Sequence, residues 1–556
     1  VEKIWKRHWP PGVHEEDIRL PADPISVILK RRAGADPREA ALIFYGREVS
    51  LGELDDASDR FAGWLLARGL RPGDRVALLL ENCPQFAIAY YGALKSGGVA
   101  VCLNPMHKAV ELRHEFQDSG ARFLATSEQG WATVAPIRGE TSLEAVAVTA
   151  YADYLPDSPT LRVPPTFREP AQGHAGADDF RRIATSGEPL RRPVERRPED
   201  TALLQYSSGT TGTPKAAELT HGNIVWSCEL QRVYNGLRPA DVHLGMLPWF
   251  HITGMECQLN LSVYQGGPLV ALGRFDPETL MEAIQRYRCT MTTLICTIYV
   301  ALVNNPRTAA YDLSSLRGCF SGGAPVPEEI ARRWEATAGH KLIEGYGLSE
   351  TTAPTHINPY TRPRYGTVGL PLPLSESRVV SLEDGMTEMP IGEAGEVVVR
   401  GPMVMKGYWG RPDATAEAIP ADGFFRTGDI GRMDDEGYFR IEERKKDMIK
   451  ASGYSVYPAE VEALLYRHPA VAEVGVVGVP DPYRGEDVVA FVVRRADAGG
   501  TVTEQQIVEW CREEMAVYKA PRRVCFVETL PRTASGKVLK RALREQARAE
   551  GLAGRG

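Results

Sequence analysis

Apolar and polar positions change their period along this chain, and each change predicts a different kind of structure. From 75 to 126, short continuous apolar runs alternate with longer amphipathic stretches. Strands are expected over 75–80, 99–103 and 121–126, and helices over 84–95 and 111–119. Pro84 falls in the first turn of its helix, where a missing N–H does no harm. Strand-helix alternation predicts parallel sheets covered by helices. The rhythm returns from 202 to about 344. Between these stretches, 153–200 is rich in Pro, Arg and Asp and weakly periodic, which reads as a long surface excursion between two α/β lobes, about 40–200 and 201–365.

From 366 to 438 the pattern shortens to β-type runs broken by Gly and Pro, as a small barrel-like β subdomain over about 366–440 requires. Beyond Lys446 come helices expected at 459–466 and 504–514, with strands at 471–479 and 487–493. The expected fold is α/β plus a small β-barrel in an N-terminal domain, residues 1–445. A smaller α+β domain, residues 446–556, follows it.

Composition narrows the function classes. The chain has 556 residues, 43% hydrophobic and 25% charged, with net charge −7. A nucleic-acid binder should be strongly basic, so that class is disfavoured. The longest apolar runs fall short of the ~20 residues of a membrane span, and no signal peptide is visible. Nine cysteines without a Cys-x-x-Cys pair fit a reducing compartment, so a cytoplasmic location is expected. Only 14 residues are lysine among the 65 Lys and Arg, yet Lys215, Lys445, Lys446, Lys450, Lys537 and Lys540 cluster in a few segments. Such positions suit a compact point charge, although a solvated surface role is the plainer reading for Lys445 and Lys540.

The most chemically loaded segment runs from Tyr206 to His221. Ser207, Ser208, Thr210, Thr211 and Thr213 supply hydroxyls, Gly209 and Gly212 allow close backbone approach, and Lys215 adds a cation. Hydroxyl and N–H donors with one ammonium can wrap a polyphosphate. The spacing is not that of a Walker A loop. A strand at 202–206 before it and a helix from about His221 after it make a setting in which phosphates are often held.

This segment resembles the phosphate loop of the adenylate-forming superfamily, which includes acyl-CoA synthetases, aryl-CoA ligases, luciferase and peptide-synthetase adenylation domains. Further segments resemble that family's motifs in the family's order. They are Gly345-Tyr346-Gly347-Leu348-Ser349-Glu350, Arg426-Thr427-Gly428-Asp429, Arg444-Lys445-Lys446-Asp447 and Pro531-Arg532-Thr533-Ala534-Ser535-Gly536-Lys537. The resemblance spans about 40–545.

It implies ATP, Mg²⁺ and coenzyme A as ligands, with a small-molecule carboxylic acid as substrate, and it allows a homodimer. It further implies that Ser207, Ser208, Gly209, Thr210, Thr211, Gly212 and Lys215 hold phosphates, and that Glu350 ligates the metal beside Ser349. Tyr346 and Gly347, with Gly323, Ala324 and Pro325, would hold adenine. Asp429 and Arg444 would take the ribose, and Lys537 would bridge carboxylate and ATP. The C-terminal domain is implied to be mobile about Lys446, with Lys450 and Gly453 along the thiol path. Ser349 stands where the family usually has Thr, and Ala216 where it prefers Gly.

The segment Pro248-Trp249-Phe250-His251-Ile252-Thr253-Gly254 resembles the family's acyl-pocket segment, and His251 is implied to lie near the substrate. It lacks the Asp by which amino-acid activators hold an ammonium. That disfavours amino acids, and because the general pattern, including Asn104-Pro105-Met106 and Glu111-Leu112, resembles fatty-acyl-CoA ligases, a medium- or long-chain fatty acid is the expected substrate, with an aryl acid of coumarate or benzoate type as the alternative. A catalytically inert nucleotide-binding homologue is the rival reading, opposed by the presence of Lys215, Glu350, Asp429, Arg444 and Lys537.

Overall fold

The apolar runs of the N-terminal part assemble into two large sheets in the computed structural model. It describes residues 3–206, 214–445, 447–451, 454–481, 484–495, 502–533 and 536–551. The predicted alternation is present as strands Arg75–Leu79, Val99–Cys102 and Phe123–Ser127 around helices Pro84–Lys95 and Ala109–Ser119. Helix Pro84–Lys95 is buried along its whole length because sheet, helix Leu51–Ala67 and the second lobe cover every face.

One eight-stranded sheet runs in the order Gly407–Tyr408, Ala216–Thr220, Thr201–Tyr206, Val99–Cys102, Arg75–Leu79, Phe123–Ser127, Ala145–Thr149 and Asp178–Asp179. It is parallel from Thr201–Tyr206 onward. A nine-stranded sheet has a parallel centre made of Leu342–Leu348, Gly318–Ser321, Met291–Leu294, His243–Gly245, Leu269–Ala271 and Ala40–Phe44. Strands Leu370–Pro371, Ala353–Ile357 and Arg47–Ser50 pair antiparallel at its ends.

The lobes do not divide at residue 200 as the alternation suggested. Ala40–Phe44 pairs with Leu269–Ala271, while Thr201–Tyr206 pairs with Val99–Cys102. Periodicity identifies a strand but carries no information about its partner. A second correction concerns the phosphate-loop candidate. Strand Ala216–Thr220 returns antiparallel on Thr201–Tyr206 before helix His221–Tyr234 begins. The helix, capped by Thr220, therefore follows this strand and not directly the candidate phosphate-binding run, whose residues 207–213 lie outside the described residues.

The excursion at 153–200 packs over the surface. It includes helix Phe180–Ser186 and edge strand Asp178–Asp179, and Phe167 is buried in a stack on Tyr151 at 4.3 Å. Where a β-barrel was expected, the described residues form a four-stranded antiparallel sheet of Glu376–Val380, Gly395–Arg400, Phe425–Met433 and Phe439–Arg444, its outer strands unpaired with each other. The C-terminal unit has a five-stranded sheet built on the long pair Val471–Asp481 and Gly485–Arg494. Helices Pro458–Leu465, Glu504–Glu514 and Lys540–Ala549 pack against it. All nine cysteines are free thiols, eight of them buried. No described helix is long and apolar enough to cross a membrane.

Candidate active site

Parallel strands expose their backbone ends at one edge, and sites in open α/β sheets form beyond the strands' C-terminal ends. Strands Met291–Leu294, Gly318–Ser321 and Leu342–Leu348 end there together, so Ser321, Gly322, Gly323, Gly345, Tyr346 and Gly347 line one pocket. A methyl on Gly347 would lie 1.8 Å from the carbonyl oxygen of Ala353, so only glycine lets the two strands close here. Beyond Ser349–Thr351 the backbone turns through Thr352 at φ 50° and Ala353 at φ 73°. Two successive left-handed non-glycine residues store strain beside Glu350, a pattern typical of functional sites.

Asp429, on Phe425–Met433, is 2% exposed. Its carboxylate accepts a hydrogen bond from the Tyr346 hydroxyl and pairs with Arg444 Nε at 2.8 Å. Asp429 and Arg444 are direct cross-strand neighbours, so the register of two strands sets the pair. Burial raises the Asp429 pKa even against the charge of Arg444. Burial pulls Arg444 down, but Asp429, Tyr346 and Glu350 outweigh it and hold the guanidinium above its ordinary value.

Lys537, from the far end of the sequence, comes to the same place. A methyl on Gly323, which sits at φ +82°, would lie 2.8 Å from Lys537 Cε and 3.3 Å from Nζ. The loop carrying it is seated by Thr297, whose hydroxyl donates to the Gly536 carbonyl at 3.3 Å. Burial, then the charge of Arg444, pushes the half-buried ammonium down to about 8. Ala324 and Pro325 follow Gly323 on the same loop, and the Val326 N–H donates to buried Glu344 at 3.3 Å. Burial pushes Glu344 up to about 8.

Glu350 is 8% exposed, and its Oε1 accepts from the Tyr408 hydroxyl at 2.9 Å. Lys215 Nζ lies 5.1 Å from the centre of the same Tyr408 ring. Tyr408 thus joins two predicted site residues, and no sequence signal pointed to it. Ser349 is half-buried beside Glu350. His251 is half-buried with its Nε2 enclosed and without a partner among the described residues. Burial, then the charge of Lys537, lowers it to about 4, so it is a neutral imidazole at physiological pH. Ala216 is 1% exposed and its methyl belongs to the sheet core, not to the loop.

Lys540 is not a solvated surface lysine: it bridges Glu443 at 2.9 Å and Glu462 at 3.5 Å. Lys445 is exposed, 3.5 Å from Glu396, and Lys450 is exposed on the C-terminal sheet. Ser207, Ser208, Gly209, Thr210, Thr211, Gly212, Lys446 and Gly453 lie outside the described residues. The sequence reading also missed a hollow on the C-terminal unit lined by Ala451, Arg484, Asp487, Tyr518 and Arg522. At its edge the rings of Tyr454 and Tyr518 stack at 4.5 Å, both exposed.

Known proteins resemble this chain in sequence and in fold. The family described as AMP-binding enzyme matches residues 29–409, and the AMP-binding enzyme C-terminal domain matches 460–537. The chain is 37% identical to a long-chain-fatty-acid–CoA ligase of Bacillus subtilis, over 98% of each chain. It is 36% identical to a feruloyl-CoA synthase of Amycolatopsis, over 93% of this chain and 97% of that one. Its fold matches the crystal structure of ATP-bound MatB from Rhodopseudomonas palustris with TM-score 0.83 and 32% identity, over 94% of this chain and 99% of the other.

Proposed function

This chain belongs to the AMP-binding enzyme family, and on that premise we propose how its residues activate a carboxylic acid and pass it to a thiol. It is an acid–thiol ligase, an acyl-CoA ligase. A medium- or long-chain fatty acid is the substrate we infer. A carboxylate repels nucleophiles and has no good leaving group. Attack of its oxygen on the α-phosphorus of ATP expels pyrophosphate and leaves acyl-AMP, from which a thiolate then expels AMP.

The observation that carries this reading is the approach of Lys537 to Gly323, beside Asp429, Arg444 and Tyr346. In the first step the Lys537 ammonium offsets the repulsion between two anions and steadies charge developing at the phosphorus. Asp429 and Arg444 hold the ribose, Tyr346 stacks on adenine, and Lys215 takes phosphate charge. Neutral His251 can approach the acyl carbon without repelling the thiol's path. The buried carboxylate of Glu350, a hard oxygen donor beside Tyr408, would hold Mg²⁺ together with phosphate oxygens. That ion would supply positive charge to the phosphates.

For the second step, the stacked tyrosines and the arginines of the C-terminal hollow match the base and phosphates of coenzyme A, while Lys446 would serve as hinge and Gly453 as the narrow point of the thiol path. The domain boundary near Lys446 belongs to the same proposal. Carboxylate-dependent ATP–pyrophosphate exchange, run with fatty, aryl and amino acids, tests the reading. Fatty acids should support it, amino acids should not, and exchange with no acid at all would refute it. Gly323→Ala should cut exchange at least about tenfold by displacing Lys537, at a backbone cost of about 1–2 kcal/mol measurable by denaturation.

A further inference from the structure

Glu350 and Lys215 come from distant parts of the chain, and a third segment holds them together. The Met405 N–H donates to the Glu350 carbonyl oxygen at 2.7 Å. The Tyr408 hydroxyl donates to Oε1 of the same residue at 2.9 Å, so one strap holds both the backbone and the side chain of Glu350. The strap also lies along the strand that follows Lys215. The Lys406 N–H donates to the Glu218 carbonyl at 3.0 Å, and the Trp409 N–H to the Ala216 carbonyl at 2.9 Å. Gly407 and Tyr408 stand opposite Glu218 and Ala217.

Tyr408 therefore meets both charges. Its ring centre lies 5.1 Å from Lys215 Nζ, while its hydroxyl engages one oxygen of Glu350. The phenol is half-buried, and burial, then the charge of Glu350, raises its pKa, so it remains a donor at physiological pH. A carboxylate that ligates a cation is ordinarily oriented by such a hydrogen bond from its neighbour. An ammonium is held over a ring face by the ring's own charge distribution.

The strap is braced from a third side. Beyond Tyr408, Arg411 Nη2 donates to Asp118 Oδ1 at 2.6 Å. Asp118 Oδ2 accepts from the Tyr206 hydroxyl at 2.9 Å. Tyr206 stands opposite Ala216, next to Lys215, on the paired strand. One carboxylate, its side chain 7% exposed, thus ties the strap to the strand beside it.

We propose that Tyr408 is a positioning residue for ATP, orienting the Glu350 carboxylate toward the nucleotide's divalent cation and the Lys215 ammonium toward its phosphates, with Asp118 bracing it through Arg411. This inference rests on the acyl-CoA ligase reading and adds to it the residue that fixes the two charges relative to each other.

Tyr408→Phe keeps the ring and removes only the hydrogen bond to Glu350. Its calorimetric affinity for MgATP should fall about tenfold, the effect expected when a group orienting a metal ligand is lost. Its affinity for ATP in EDTA should change less than about twofold, because Lys215 keeps its ring. In ATP–pyrophosphate exchange the KM for MgATP should rise about tenfold while the KM for the fatty acid stays in place. Tyr408→Leu should weaken ATP in EDTA as well, by about threefold or more. Asp118→Asn, which retains an acceptor for Tyr206, should raise the KM for MgATP about threefold, the scale of one partly exposed ion pair. Unchanged MgATP affinity in Tyr408→Phe, or equal losses with and without the metal, overturns the proposal. An equal rise in the KM for the acid overturns it too, since a general defect would act on both substrates. If the wild-type enzyme binds MgATP but supports exchange with no acid, the ligase reading fails while the binding measurements still judge Tyr408.

Discussion

Lys537→Ala is expected to slow adenylate formation by about a thousandfold, the upper range for deleting one group aimed at developing charge. Release of the thioester from pre-formed acyl-AMP should change less than about tenfold, because carboxylate and ATP no longer need to be brought together. The asymmetry follows from where the ammonium sits, over Gly323 and near Asp429 and Arg444. A general folding defect would depress both steps equally. The same group sets a pH dependence. Burial and Arg444 hold its pKa at about 8, so in the free enzyme it is charged below that value and loses its proton above it. The kcat/KM for ATP in adenylation should therefore fall as pH rises through about 8, and the alanine variant should lack that limb. Bound ATP adds negative charge, so the matching limb in kcat lies at higher pH. A wild-type profile flat from pH 7 to about 10 would remove Lys537 from this role.

Asp429→Ala is expected to weaken ATP binding by about a hundredfold to ten-thousandfold. Two ribose hydroxyls lose a charge-assisted acceptor, at about 1.5–3 kcal/mol each. The substitution also strands Arg444 and the Tyr346 hydroxyl, whose partner is this carboxylate. Asp429→Asn separates the effects, since it keeps the shape and an acceptor while removing the charge. Calorimetry with ATP and with its 2′- and 3′-deoxy analogues is the measurement. Loss of the preference for intact ribose assigns Asp429 to the nucleotide, whereas an unchanged preference assigns it to the internal pair alone.

Local pattern carried the long elements of this chain. Helices Pro84–Lys95 and Glu504–Glu514 lie where apolar spacing and start signals put them, because those signals are contained within each segment. Partnership between segments was not legible. Nothing in 40–44 points to a strand at 269–271, and the Ala-Ala-Glu-Leu-Thr run after the glycine-rich loop is too short and too weakly alternating to announce a strand. Motif resemblance grouped Asp429, Arg444, Tyr346 and Lys537, and the structure places these residues near one another, while the nucleotide roles it implies for them belong to the proposal. Tyr408 was not, since its link to Glu350 depends on Gly407–Tyr408 pairing with Ala216–Thr220, a contact between distant segments.

Oxygen-18 in both carboxylate oxygens of a fatty acid gives the most direct measurement of the chemistry. The enzyme is incubated with labelled acid, ATP and coenzyme A, and the phosphorus products are examined by mass spectrometry. If the carboxylate attacks the α-phosphorus, one labelled oxygen remains on AMP when the thiol displaces it, and pyrophosphate is unlabelled. Label found in inorganic phosphate with formation of ADP, or AMP free of label while thioester accumulates, would contradict an acyl-adenylate.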